Sequence, residues 1–387
     1  MRATIKWTIR ILLALVLALV VTGVWKREEI ARLWAVNTLF DKDRIVTNFS
    51  NMERAFLTLP VPRGDGPVSA LPQGPEMTLP EGVATWIEAR NVTSLLVLHE
   101  GRIVHESYLR GTLPGDRRIS WSVAKSFLSA LFGIALAEGQ ITALDDPVTR
   151  YAPQLQGSAY DGTTIRQLLQ MTSGLEFDED YLDYHSDINR MGRVLALGGS
   201  MDGFATGLTA RAADPGTRWK YVSIDTHALA MVLRGATGRD LSALLSEHII
   251  QPLGFEAEPY YLSDGEGVAF ALGGLNLTTR DYARFGLMVE QMGRYGDRQV
   301  VPKDWIKAST TPSAATPEGA LQYGYQWWMP EDARDGEVFG HGIYGQYIYI
   351  DRARDAVIVV TSADRGFREP GVKTGNIAIL RRIAAAL

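Results

Sequence analysis

Ser122-Val123-Ala124-Lys125 opens an apolar stretch, with its two reactive side chains three residues apart. On a helix, residues at that spacing share a face, so the lysine amine reaches the serine hydroxyl. Serine is a weak nucleophile until a neighbouring base takes its proton. Lysine serves as that base when burial or a cationic environment lowers its pKa toward 7. A helix start adds unpaired backbone N–H groups and a partial positive charge, which suit a developing oxyanion. The bland reading of the same four letters is an N-cap serine followed by a surface lysine. Trp121 and Phe127 on either side leave little room for a solvated lysine and favour chemistry.

Two further segments carry weaker signals. Tyr221-Val222-Ser223 follows a turn at Pro215-Gly216. A tyrosine beside a basic lysine can share its proton and reprotonate a leaving group, although most of the 15 tyrosines must be packing residues. Gly340-His341-Gly342-Ile343-Tyr344-Gly345-Gln346 precedes a strand pattern, and its glycines permit close approach of the backbone to a ligand. A plain β-turn would read the same way.

Taken in order, these motifs resemble the serine β-lactamase and penicillin-binding protein superfamily, in its class C-like, esterase-like branch. Ser120-Trp121-Ser122-Val123-Ala124-Lys125-Ser126-Phe127 is similar to the aminohexanoate-oligomer hydrolases. Supporting pieces are Leu168 to Leu175 (LLQMTSGL), Gly273-Gly274-Leu275-Asn276 and Tyr323 to Trp328 (YGYQWW). The resemblance runs from about residue 85 to the C-terminus. It implies that Ser122 is the acylated nucleophile, Lys125 its base and Tyr221 the tyrosine of the second box. It places Ile343 where a second oxyanion N–H arises, beside that of Ser122, and His341 and Gly342 in the third box. Asn276 becomes a substrate contact, and Tyr181 or Tyr184 lines the acyl pocket from the loop after Gly174.

The departures bear on substrate. Ser223 stands where many β-lactamases have asparagine, and His341 replaces the third-box lysine that helps hold a β-lactam carboxylate. Both favour esters or small amides over penicillins. The expected reaction is acyl transfer through a Ser122 acyl-enzyme, with no cofactor and no metal. The alternatives are a D-amino-acid carboxypeptidase or β-lactamase within the class, and a non-catalytic sensor or scaffold outside it. Lys373-Thr374-Gly375 also spells a third box, but it opens a closing helix with no strand after it. Lys373 is therefore expected to be solvated, far from Ser122 and kinetically silent. There is no Gly-x-Ser-x-Gly elbow and no His-Glu-x-x-His among the six histidines.

The elements that must position these residues read as an α+β fold: an antiparallel sheet lobe flanked by helices, with an inserted helical lobe. Ala84–Arg90 reads as a short helix. Ser94–His99 and Arg102–Tyr108 read as strands joined by a turn at Glu100-Gly101. Ser122–Gly139 is the clearest helix, with Gly139 as its stop. Residues 145 to 280 read as short helices and loops. Gln346–Asp351 and Ala356–Ser362 read as strands, and Val372–Leu387 as a helix. The chain has 387 residues, 46% hydrophobic and 21% charged, with net charge −5 and no cysteine. This excludes disulfides, thiolate chemistry and a basic nucleic-acid face.

At the N-terminus, Arg2, Lys6 and Arg10 precede an apolar run from Ile11 to Trp25. Counted from Trp7, with Arg10 snorkelling, it is about 28 Å of helix, enough to span a bilayer. Residues 1–30 are expected to be an uncleaved membrane anchor, with a removable signal as the rival reading. The catalytic body is placed outside the cytoplasm, on the periplasmic side in a bacterium. Residues 31–80, punctuated by proline and glycine, read as a stalk, and 81–387 as the hydrolase domain.

Overall fold

Near-continuous apolar runs give Val92–His99 and Ala356–Ser362 two buried faces, so both become central strands. Leu96, Leu98, Val357 and Val359 enter one core, and Leu95, Val97, Ile358 and Val360 the other. The structure, a computed structural model, describes residues 2–387. These strands sit in a seven-stranded antiparallel sheet. Its spatial order is Arg102–Tyr108, Val92–His99, Ala356–Ser362, Gln346–Asp351, Glu337–Gly342, Trp328–Met329 and Gln322–Tyr323. The hairpin turn is Glu100-Gly101, both at positive φ (49° and 71°), as a tight two-residue connection requires.

Helices cover both faces of the sheet. Thr279–Glu290 lies on one, so close at Gly286 that a Cβ there would meet Val357 Cγ1 at 2.6 Å. The closing helix, Val372–Ala385, lies on the other with Val83–Ala89. Residues 145 to 280 supply the inserted lobe, mostly short helices, so the α+β expectation holds. The helix expected from Ser122 differs at its start. Trp121–Val123 is a 3-10 turn, and the α-helix runs from Ala124 to Ala137, with Gly139 past its end at φ 73°.

The expected stalk is not one. Leu39, Ile45, Phe49, Met52 and Val61 are all 2% exposed or less. Leu57–Pro60 pairs with Tyr260–Ser263 at the edge of a second sheet, whose other strands are Leu275–Leu277 and Arg118–Ile119. The buried Arg118 guanidinium donates to the Val46 carbonyl (2.6 Å) and Ser50 Oγ (2.8 Å). Further on, Gly74 and Met77 N–H groups donate to the carbonyls of Ile103 and Val104, both at 2.8 Å. Proline misled the sequence reading because an edge strand and an extended strap tolerate it as well as a linker does. Five buried apolar side chains at about 1.5–3 kcal/mol each rival a whole domain's stability. A chain starting at Glu81 is therefore expected to lose its cooperative melt, whereas one starting at Asn37 keeps it. Circular dichroism melts of the two decide this, and a cooperative melt from Glu81 would restore the stalk.

Thr4–Trp25 is helical, with mean hydropathy 2.3 and no burial, and is long and apolar enough to cross a membrane. A second helix, Arg27–Asn37, follows it toward the body.

Candidate active site

Trp121 has φ 44°, a left-handed conformation that a bulky residue adopts only when its surroundings hold it there. This kink ends the approach from Arg118–Ile119 and turns Ser122 into a 3-10 turn, half-buried at the base of a cleft. One turn on, Lys125 is 1% exposed. Its Nζ lies 3.2 Å from Ser122 Oγ and donates to the Leu272 carbonyl at 2.7 Å. Burial lowers the Lys125 pKa to about 7, against a smaller upward pull from Glu179 and Asp225. A neutral amine there can donate to Leu272 and still offer its lone pair to the Ser122 proton.

Tyr221 enters from the helical lobe, just before the helix Ser223–Thr237. Its ring stacks on Trp328 at 5.3 Å and 29°, and its centroid lies 5.5 Å from Lys125 Nζ. Burial raises the phenol's pKa, partly offset by hydrogen bonding to Ser122 and Ser223, so it stays protonated at neutral pH. Gly342 ends the strand Glu337–Gly342 beside the nucleophile turn. A Cβ on it would meet the Ser120 carbonyl oxygen at 2.5 Å and Trp121 Cβ at 3.0 Å, so glycine is what permits the approach. Ile343, the next residue, lines the cleft with Ser122.

The cleft is about 550 Å³ and also holds Glu179, Tyr181, Trp219, His341, Arg368 and Lys373. Ser122, Lys125, Tyr221, His341, Gly342, Ile343 and Tyr181 thus come together. Tyr184 is 63% exposed and lies on the rim of an adjoining cleft. Asn276 corrects its expected role. It is 0% exposed, lines neither cleft and donates to the Gly274 carbonyl at 2.8 Å. It braces the turn that presents the Leu272 carbonyl to Lys125 and does not touch a ligand.

Lys373 is the larger correction. It begins the closing helix as expected, yet that helix end folds over the cleft, and its Nζ lies 5.3 Å from the Trp328 ring centroid. It is exposed, as expected, and desolvation beside the cleft wall lowers its pKa. His341 is held well below its ordinary pKa by burial and by the Lys373 charge, so it is a neutral ring at pH 7. Lys373 thus puts a cation in the cleft that His341 also lines.

Sequence reasoning passed over Glu179 and Asp225. Glu179 accepts the Ser223 hydroxyl, the Tyr181 hydroxyl (2.7 Å) and the Ser223 N–H (3.1 Å), tying the loop after Gly174 to the Tyr221 segment. It stands two residues before Tyr181, so the same loop held the signal. Asp225 is fully buried, accepts from the Tyr160 hydroxyl at 3.1 Å, and is pushed up to about 8 by burial. A protonated Asp225 weakens its hold on the Lys125 proton and leaves Glu179 as the larger upward pull. The YGYQWW motif is a brace. Gln326 Nε2 donates to the Leu168 and Leu169 carbonyls, Thr226 donates to its Oε1, and its carbonyl accepts Ser126 Oγ.

A family model described as Beta-lactamase matches residues 83–381. The chain is 33% identical over 291 residues to a 6-aminohexanoate-dimer hydrolase of Paenarthrobacter ureafaciens, covering 72% of this chain and 74% of that protein. It is 32% identical over 145 residues to esterase EstB of Burkholderia gladioli, covering 34% of this chain and 36% of that protein. A solved structure from Bacillus anthracis, provisionally named a 6-aminohexanoate-dimer hydrolase, superposes with a TM-score of 0.80. It has 23% identity and covers 89% of this chain and 95% of that one, a likeness of fold.

Proposed function

The chain belongs to the Beta-lactamase family and is a hydrolase, and on that premise we propose that it cleaves linear amides or esters through an acyl-enzyme on Ser122. The observation that carries this is the buried Lys125 amine, its pKa brought to about 7, at 3.2 Å from Ser122 Oγ. Lys125 takes the Ser122 proton as Oγ attacks the carbonyl carbon. The N–H groups of Ser122 and Ile343 receive the oxyanion. The Tyr221 phenol donates its proton to the departing nitrogen or oxygen and regains one from the Lys125 ammonium. Water then attacks the acyl carbon as Lys125 takes its proton, and Lys125 returns that proton to Ser122 Oγ as the C–Oγ bond breaks and the acid leaves. Tyr221 lines the cleft that holds Glu179, Arg368, Glu369 and Lys373 and not the adjoining one, so the leaving group departs on the charged side.

A working base must be neutral. The expected kcat/KM therefore falls about tenfold per pH unit below about 7, as Lys125 takes up a proton, and levels above it. A pH–rate profile on a p-nitrophenyl ester measures this. A Ser122-dependent rate that stays flat from about pH 5 to 8 would remove Lys125 as the base.

Lys373 makes the leaving-group side suited to an anionic end, whereas Arg368 is already paired with Asp180. Lys373→Ala is expected to raise KM about tenfold for an amide whose amine half ends in a carboxylate, the scale of one charged hydrogen bond. An equal rise with a neutral p-nitrophenyl ester would show that the lysine only braces the cleft. The N-terminal helix is proposed to anchor this body on the outer face of a cytoplasmic membrane.

A further inference from the structure

Ser122 opens onto a second cleft of about 360 Å³, and its chemistry is different. Its inner wall is Ile188, Leu195, Leu262, Phe270 and Leu272. Arg193 is the one charged lining residue, and its guanidinium is already engaged by the Tyr184 carbonyl (2.6 Å) and the Tyr184 ring (4.0 Å). The outer wall comes from an unexpected source. Val36 and Asn37, which end the helix Arg27–Asn37, and Leu39 and Phe40 just after it, close the cleft. Phe40 stacks on Tyr344, the residue after Ile343, at 5.0 Å and 14°. The rim stays apolar toward solvent: Leu182 is 78% exposed, Tyr184 63% and Phe40 37%. Nearby on the chain, Trp34 is 58% exposed and Ile30 53%. An exposed apolar rim around an apolar slot marks a binding site for apolar matter.

We propose that this cleft is the acyl subsite, and that it takes the straight aliphatic acyl chain of an amphiphile resident in the membrane. The inference rests on the Ser122 acyl-enzyme reading. Since the leaving group departs past Tyr221 into the charged cleft, the acyl half lies in the other. The aliphatic and aromatic inner wall gains from each methylene that covers it, and Arg193 is the one charge the slot presents. The wall that closes it continues through Arg27–Asn37 into the helix Thr4–Trp25, which is long and apolar enough to cross a membrane and so tethers the rim near any bilayer it enters.

The test uses the full chain in phosphatidylcholine vesicles and the p-nitrophenyl esters of acetate, butanoate, hexanoate and octanoate. The expected kcat/KM rises at least about tenfold from acetate to octanoate, modest beside the about fourfold that each buried methylene can supply. Gly192 lines the cleft, and a Cβ on it meets nothing within 4 Å. Gly192→Trp should lower the octanoate-to-acetate ratio at least about tenfold, and the smaller plug Gly192→Leu should give an intermediate ratio. A long-chain umbelliferyl ester should be cleaved in the enzyme's own vesicles and not in separate ones. Ser122-dependent acetate turnover with a flat series, or a ratio insensitive to both plugs, overturns the acyl subsite and leaves the Ser122 reading standing. Equal cleavage from separate vesicles overturns delivery from the membrane. Turnover with no acyl adduct on Ser122 overturns the Ser122 reading and this inference with it.

Discussion

Ser122→Ala lowers turnover of any ester or amide substrate on the order of 10⁴-fold or more, with the fold unchanged. The substitution removes one oxygen from a half-buried side chain, and nothing in the packing depends on it. What it does remove is the nucleophile, and the reaction has no second route of comparable rate. Lys125 and Tyr221 remain but have no hydroxyl to deprotonate or relay from. The residual rate reflects binding and the oxyanion N–H groups acting on bulk water. Thermal melts of the two proteins should coincide. A variant that keeps more than about a tenth of the wild-type rate would move the chemistry to another residue.

Lys125→Ala reduces kcat by about 100-fold or more, and Tyr221→Phe by a similar factor, since general base and acid terms are commonly that large. The two should separate in their pH behaviour. Loss of Lys125 removes the acid limb near 7, because the titrating group is gone. Loss of the Tyr221 hydroxyl leaves that limb in place and lowers its plateau. Lys125→Ala also leaves the Leu272 carbonyl without its donor in a buried site, at a cost of about 1–3 kcal/mol. Its stability must therefore be measured beside its rate. Near wild-type rates in both variants would dismiss the proton-transfer scheme. A loss confined to Lys125, with its pH limb unchanged, would assign it to structure alone.

Much of this site was legible because its chemistry is local. Ser122 and Lys125 share one turn, and neither needs a distant contact to be recognised. Tyr221 and Ile343 were found by order along the chain, and Gly342 by the close approach that its lack of a side chain allows. The strands flanking the sheet's centre were readable because two buried faces leave an unbroken apolar run in Ala356–Ser362. What was not legible depends on where the chain returns in space. Lys373 reads as a solvated residue at a helix start, and only the packing of that helix on the sheet brings its ammonium over Trp328. Asn276 looked like a contact because it follows Gly273-Gly274, yet strand pairing with Ile119 buries it. The segment from Leu39 to Val61 reads as linker only through its neighbours, the prolines and glycines from Pro60 to Pro80. Its apolar residues are too widely spaced to show a period, so their burial appears only in three dimensions. Asp225 lies four residues beyond Tyr221 and carries no motif of its own.

The most direct measurement is the mass of the enzyme during turnover. Wild-type protein mixed with a p-nitrophenyl ester and quenched in acid within the first turnovers should gain the mass of one acyl group. Proteolytic mapping should place it on the peptide containing Ser122, and Ser122→Ala should gain nothing. An adduct on a different residue, or full turnover in the Ser122→Ala protein with no adduct in either, would contradict a Ser122 acyl-enzyme.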